Sequence, residues 1–218
     1  QAIRNANDGI SLVQTAEGAL TEINSLLSRA YELATQAANG ILSSSQRSSL
    51  NTEFTAIKNE ITRIADVTEF NGTKLLNGTL ASSATAVNIQ VGITNSSDSR
   101  IAVNVVKDTD AAHLSISANT LSTVAGALTA LGKISSAIST VSDIRGQLGA
   151  IQNRLENTIT VLNVQAENLQ AAESRISDVD VASEMTEFVR TQILTQSAVA
   201  MLSQANSLPR MALQLIGG

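Results

Sequence analysis

Aliphatic residues recur at seven-residue steps over long stretches of this chain, and that repeat limits its folds more than any other feature. Leu12, Ala19, Leu26 and Leu33 form one column. Val13, Leu20, Leu27 and Ala34 form a second, and Ala16, Ile23, Ala30 and Ala37 a third. The three merge into one broad apolar stripe on a helix that starts within the first few residues and ends near Asn39-Gly40. At 1.5 Å per residue such a helix is on the order of 50 Å long. A Ser-rich connection follows. Leu50, Phe54, Ile57, Ile61 and Ile64, at alternating steps of four and three, then predict a second helix from about Gln46 to Asp66. A third should run from about Leu121 to Ile176. Its column is Leu148, Leu155, Leu162, Leu169 and Ile176, flanked by Ile144, Ile151, Ile159 and Ala166. This seam is coiled-coil-like, with Thr158 and Gln165 as interruptions.

Between the second and third helices the period drops to two. Val87, Ile89, Val91 and Ile93 alternate with polar residues, as do Ile101, Val103 and Val105, around the loop composition "TNSSDSR". That is the pattern of a β-hairpin over about 87–106. Asn71-Gly72 and Asn77-Gly78 are turn signals ahead of it. Around "SRISDVDVASEM" the helical pattern resets, with Ser177 or Asp180 as the cap of a last helix over about 181–205. Pro209 should stop that helix and leave "RMALQLIGG" as a short apolar tail. The tail has too little sequence around it to bury its own apolar residues, so it needs a partner.

Composition supports thin, elongated cores. The chain is 43% hydrophobic but 2% aromatic, its rings being Tyr31, Phe54, Phe70 and Phe188. A compact core of 218 residues normally uses more rings, since each buries a large apolar area. A net charge of −5 argues against nucleic acid as a partner, which selects for clustered Lys and Arg. No uninterrupted apolar run approaches the roughly 20 residues of a membrane span, so membrane insertion is not expected. With no cysteine there is no disulfide, thiolate metal site or Cys nucleophile.

Catalysis finds little support. His113, the one histidine, lies in "DTDAAHLSIS" without a nucleophile motif, and is expected on a surface or loop. Glu173, Asp178, Asp180, Glu184 and Glu187 lack the glycine and spacing of a calcium loop, which leaves capping and solvation as their role. No phosphate-binding glycine motif occurs. The N-x-S/T triplets at Asn71, Asn77 and Asn95 all sit in turn composition. No catalytic residue, cofactor or metal is therefore expected. The reading is mainly α: an elongated rod of long antiparallel coiled-coil-like helices with a small β-hairpin region, plus a C-terminal helical tail. The rod should span 1–176 and the tail segment 177–218. Such a chain is built for association.

Particular residues say more than periodicity. "RNANDGISLVQTAEGALTEI" at 4–23 resembles the N-terminal core of bacterial flagellins, and "ELATQAANG" and "VTEFNGTKLLNG" follow in the family's order. "RGQLGAIQNRLENTI", "AESRISDVDVASEMTEFVRTQIL" and "LSQANSLP" resemble the C-terminal core. The likeness covers nearly the whole chain and is weakest over about 81–126.

The resemblance implies a structural subunit, not an enzyme. Such a subunit is exported unfolded, secreted, and polymerised with other flagellin subunits beneath the filament cap into the extracellular bacterial flagellum, for motility. Terminal helices pair as a coiled coil in the family's inner tube, and a short hairpin region without an outer domain marks this chain as the core-only kind. Family members carry a helical segment ahead of the position of Gln1, so the resemblance implies a chain cut upstream, with 177–218 lacking its N-terminal partner. It implies two further partners. The flagellar export chaperone, or the filament's inner core, would contact Val181, Met185, Phe188, Ile193, Met201, Leu202, Leu208, Leu213 and Ile216. A vertebrate Toll-like receptor would recognise positions matching Arg29, Leu33 and Glu53, with Ser28 where the family usually has glutamine. The alternatives are the related hook–filament junction protein and, from another class, a metal-dependent hydrolase built on the acids near Asp178.

Overall fold

The computed structural model describes residues 1–80, 86–103, 108–177 and 180–217, with the backbone alone for 208–216. It divides into two units, Gln1–Val164 and Gln165–Gly218, the division falling inside the longest helix.

The first unit opens with helix α1 (Ala2–Ala37). Its buried residues, from Ala6 through Leu12, Val13, Ala16, Leu20, Ile23, Leu27 and Ala30 to Ala37, follow the three columns read from the sequence. Helix α2 (Ser44–Val67) starts two residues earlier than the expected Gln46, because Ser43 and Gln46 form a capping box. The Gln46 side chain accepts from the Ser43 N–H at 2.9 Å, and Ser43 Oγ accepts from the Gln46 N–H at 3.3 Å.

Asn71-Gly72 is more than a turn. Both residues have positive φ, 49° and 77°, and they join two-residue strands β1 (Glu69–Phe70) and β2 (Thr73–Lys74). Two left-handed central residues suit a tight hairpin. The expected larger hairpin forms as β3 (Val87–Gln90) antiparallel to β4 (Arg100–Val103), with Val87 opposite Val103 and Ile89 opposite Ile101. Its alternation ends early. The N–H groups of Val91 and Gly92 both donate to Ser99 O at 2.9 Å, a bulge that breaks the period of two. Ile93, expected on the buried face, is consequently 95% exposed. Val105 lies outside the described residues.

The sheet meets α1 at Gly9, where an added Cβ would stand 2.3 Å from Ile89 Cδ1. Asn5 Nδ2 donates to Gln90 O at 2.9 Å beside that contact.

Residues 108–123 are fastened along α2. Lys58 Nζ donates to Ser117 O and Asn119 O, both at 2.8 Å, and lies over the Phe54 ring. Burial holds that ammonium below its ordinary pKa. Asn51 Oδ1 accepts from the Leu121 N–H at 2.8 Å, which brings the start of helix α3 (Val124–Ser177) beside the start of α2. Further along, Arg145 pairs with Glu17 at 3.6 Å. Within the first unit α3 therefore runs back along α1, antiparallel to it. Ala127, Ala130, Ile134, Ala137, Val141, Ile144, Leu148, Ile151 and Leu155 bury in one cluster with α1, α2 and the strands.

Two expectations need correcting. The packed face of α3 does not extend to Ile176. Ile159 still packs against the core, but no described residue of 165–177 joins the buried cluster, and Leu169 and Ile176 are exposed. Pro209 does not end the last helix either: α4 runs as Val181–Ile216. A proline removes one backbone hydrogen bond and bends a helix, and the chain resumes helical geometry on its far side.

Candidate functional site: two association surfaces

The first surface lies on the α1–α2 seam. Ala30 and Phe54 are buried there, so the residue just before each is turned about 100° away from the core. Those residues are Arg29 and Glu53, the positions that pair across a helix seam. Arg29 Nε and Nη2 both reach Glu53 Oε1 at 2.9 Å, and Nη1 reaches Glu32 Oε2 at 3.0 Å. The hydrogen bond to Glu32 first, and that to Glu53 second, hold the guanidinium above its usual pKa. Glu32 was missed in the sequence, although its i,i+3 spacing from Arg29 was the available sign. Leu33 separates from the other two. It is fully buried at 0% exposure, so in this conformation it supports the surface from below and does not meet a partner directly. Its place in an apolar column is the reason.

The second surface is α4. Asp180 caps it, with Oδ1 accepting from the Ala182 N–H at 3.1 Å and the Ser183 N–H at 3.4 Å. Glu184 sits in the first turn, where a negative charge suits the helix dipole. Every described side chain over 181–206 is exposed. Val181, Met185, Phe188, Val189, Ile193, Leu194, Val199, Met201 and Leu202 are among the large apolar ones. Covering such a set recovers on the order of 10 kcal/mol, at roughly 1.5–3 kcal/mol for each fully buried side chain. The side chains of Leu208, Leu213 and Ile216 lie outside the described residues.

The acids proposed for a metal-dependent hydrolase have other roles here. Asp180 is the cap just described, Glu187 pairs with Arg190, and Asp178 lies outside the described residues. One window of 18 residues within 124–207 averages 1.3 in hydropathy, so that stretch is long and apolar enough to cross a membrane by length and composition. It contains no uninterrupted apolar run of that length. Alanine-rich helices reach such averages without one.

Comparison with known proteins gives one answer along the chain. The bacterial flagellin N-terminal helical region matches residues 1–81, and the bacterial flagellin C-terminal helical region matches residues 131–216. A flagellin of Halalkalibacterium halodurans is 47% identical over 217 residues, covering 99% of this chain and 78% of the relative. A flagellin of Bacillus subtilis is 41% identical, with 99% and 80% covered. Among solved structures, the crystal structure of Bacillus cereus flagellin aligns with a TM-score of 0.64 at 32% identity, over 78% of this chain and 94% of that one. A putative flagellar hook-associated protein from Vibrio parahaemolyticus aligns at 0.59 with 17% identity, over 82% and 90%, a likeness of fold alone.

Proposed function

This chain belongs to the bacterial flagellins, and on that premise we propose how its two surfaces divide the work of a filament subunit. It is a structural protein of the extracellular flagellar filament, not an enzyme, and it assembles with other flagellin subunits for motility. The hook–filament junction reading is the weaker one, because relatives at 41–47% identity are flagellins while the hook-associated likeness stands at 17%.

The observation that carries the proposal is the exposed apolar surface of α4 in a chain whose first unit buries its own so thoroughly. Residues 177–218 serve as the inner-tube segment, and α4 is covered by coiled-coil pairing with helices of neighbouring subunits in the filament. Before export the flagellar chaperone covers the same residues, Val181, Met185, Phe188, Ile193, Met201 and Leu202 among them, with Leu208, Leu213 and Ile216 further along. The chain then travels unfolded and is placed beneath the filament cap. Residues 1–176 serve as the rod. The seam at Arg29 and Glu53, with Leu33 beneath, is the surface offered to the vertebrate Toll-like receptor. What supports this is the exposure of both charged groups and their fixed geometry.

Polymerisation tests the proposal. Phe188→Ser with Ile193→Ser should abolish filament growth and chaperone binding while leaving the unfolding of the rod unchanged. Normal filaments from that variant would refute the role given to α4.

A further inference from the structure

One cluster of side chains lies apart from both association surfaces. Thr109 is buried, and its N–H and Oγ1 both donate to Leu76 O, at 3.0 and 3.3 Å. The N–H of Ala111 donates to Thr62 Oγ1 at 3.4 Å, and Ala111 and Leu114 are buried. Gly78 lies directly against Asp108, where an added Cβ would come within 2.9 Å of the aspartate Cβ. The segment is thus pinned to the core at 109, 111 and 114. Asp108, Asp110 and His113 are left together on its other side.

Their ligand atoms all fall within 4.8 Å of one another. His113 Nδ1 is 2.9 Å from Asp108 Oδ2 and 3.5 Å from Asp110 Oδ1. Tetrahedral zinc, with bonds of roughly 2.0–2.2 Å, sets its ligand atoms about 3.3 Å apart. The two distances straddle that edge, so small side-chain rotations would seat an ion on three corners and leave the fourth to water. Backbone donors already orient the carboxylates: Asp108 Oδ1 accepts from the Asp110 N–H at 3.0 Å, and Asp110 Oδ1 from the His113 N–H at 2.7 Å. Such outer hydrogen bonds are what fix ligands in metal sites. The histidine side chain is two-thirds exposed and gives an ion a way in.

We propose that Asp108, Asp110 and His113 form a binding site for a divalent transition-metal ion of the zinc type. One imidazole and two carboxylates suit zinc and its neighbours, whereas calcium takes six to eight oxygens and is poorly served here. The ion would staple the 108–113 turn to itself, on the side away from the anchoring of Thr109 to Leu76. The proposal is independent of the filament reading.

Because His113 is the chain's one histidine, its imidazole NMR signals report on the site without assignment ambiguity. The 218-residue chain is titrated with Zn2+ at near-neutral pH, with calorimetry alongside. One ion per chain should bind and shift the imidazole signals. His113→Ala and Asp110→Asn, both checked for unchanged helicity, should each weaken binding at least about tenfold. Ca2+ at the same concentrations should leave the imidazole signals where they are. Zinc binding that survives His113→Ala undiminished would overturn the site, as would imidazole signals that stay fixed through the titration. An equal response to Ca2+ would overturn the assigned class of ion.

Discussion

Leu148 and Leu169 stand three steps apart in one seven-residue column of one helix, yet Leu148 is fully buried and Leu169 is 63% exposed. The same contrast separates the two units. Over 1–164 the apolar columns close on one another, and Leu20, Ile23, Leu27, Phe54, Ile61, Ile134 and Leu148 are sealed from solvent. Over 165–218 side chains of the same kinds, Ile176, Phe188, Ile193 and Met201, stay open. A seven-residue repeat says which face of a helix needs covering. It does not say whether the cover belongs to the same chain. On the role proposed for α4 both answers occur in this one chain.

If that division is right, the same kind of substitution should have opposite consequences in the two units. The largest effect is expected in α4. Phe188→Ser with Ile193→Ser should eliminate polymerisation, yet shift the denaturant midpoint of the rod by no more than surface changes do, about 0.5 kcal/mol. Next comes the sealed core. Leu148→Ala should cost about 2–5 kcal/mol of rod stability, read by chemical denaturation, whereas Leu169→Ala in the same column should be nearly silent in that assay. A rod destabilised equally by both would break the comparison.

The contact between α1 and the sheet offers a sharper test. Gly9→Ala places a methyl against buried Ile89, and overpacking of this kind costs about 1–3 kcal/mol. Ile89→Val removes the clashing carbon, so the double variant should be more stable than the two single losses summed, a coupling measurable in a double-mutant cycle. The smallest effect on the fold belongs to the charged seam. Arg29→Ala and Glu53→Ala should leave the thermal midpoint essentially unchanged, because both side chains are exposed. Receptor activation in a reporter-cell titration should nonetheless fall about tenfold or more. Two variants that signal like the parent would remove this seam as the epitope.

Much of this was legible in the residues. The columns from Leu12 to Ala37 bury where the repeat puts them, Ala19 and Leu26 at the edge only in part, and Asn71-Gly72 turns where its conformational freedom allows. The long helices were readable because small aliphatic residues at regular spacing leave few other folds. What escaped had physical causes outside the local pattern. Ile93 follows a bulge that only the pairing with Ser99 creates. The two-residue strands β1 and β2 are too short to show a period. Pro209 sits within a helix because the backbone tolerates one missing donor. Leu33 shares a helix turn with Arg29, and its place in an apolar column already set it apart as core; only the resemblance grouped it with the two charged positions. The cluster at Asp108, Asp110 and His113 is not visible in the sequence, where His113 stands in "DTDAAHLSIS" without a motif; what joins the three is the anchoring of Thr109 to Leu76, 33 residues away in sequence.

Amide hydrogen exchange on dilute, partner-free monomer tests the central claim most directly, since it reads each helix separately. A helix without a buried face is marginal in water, whereas one sealed in a core opens only with the fold. Exchange should be slow over α1, α2 and residues 127–155 and fast over 181–206, and the latter should become protected when subunits polymerise or the chaperone is added. Protection over 181–206 in the lone monomer equal to that over 127–155 would contradict the account.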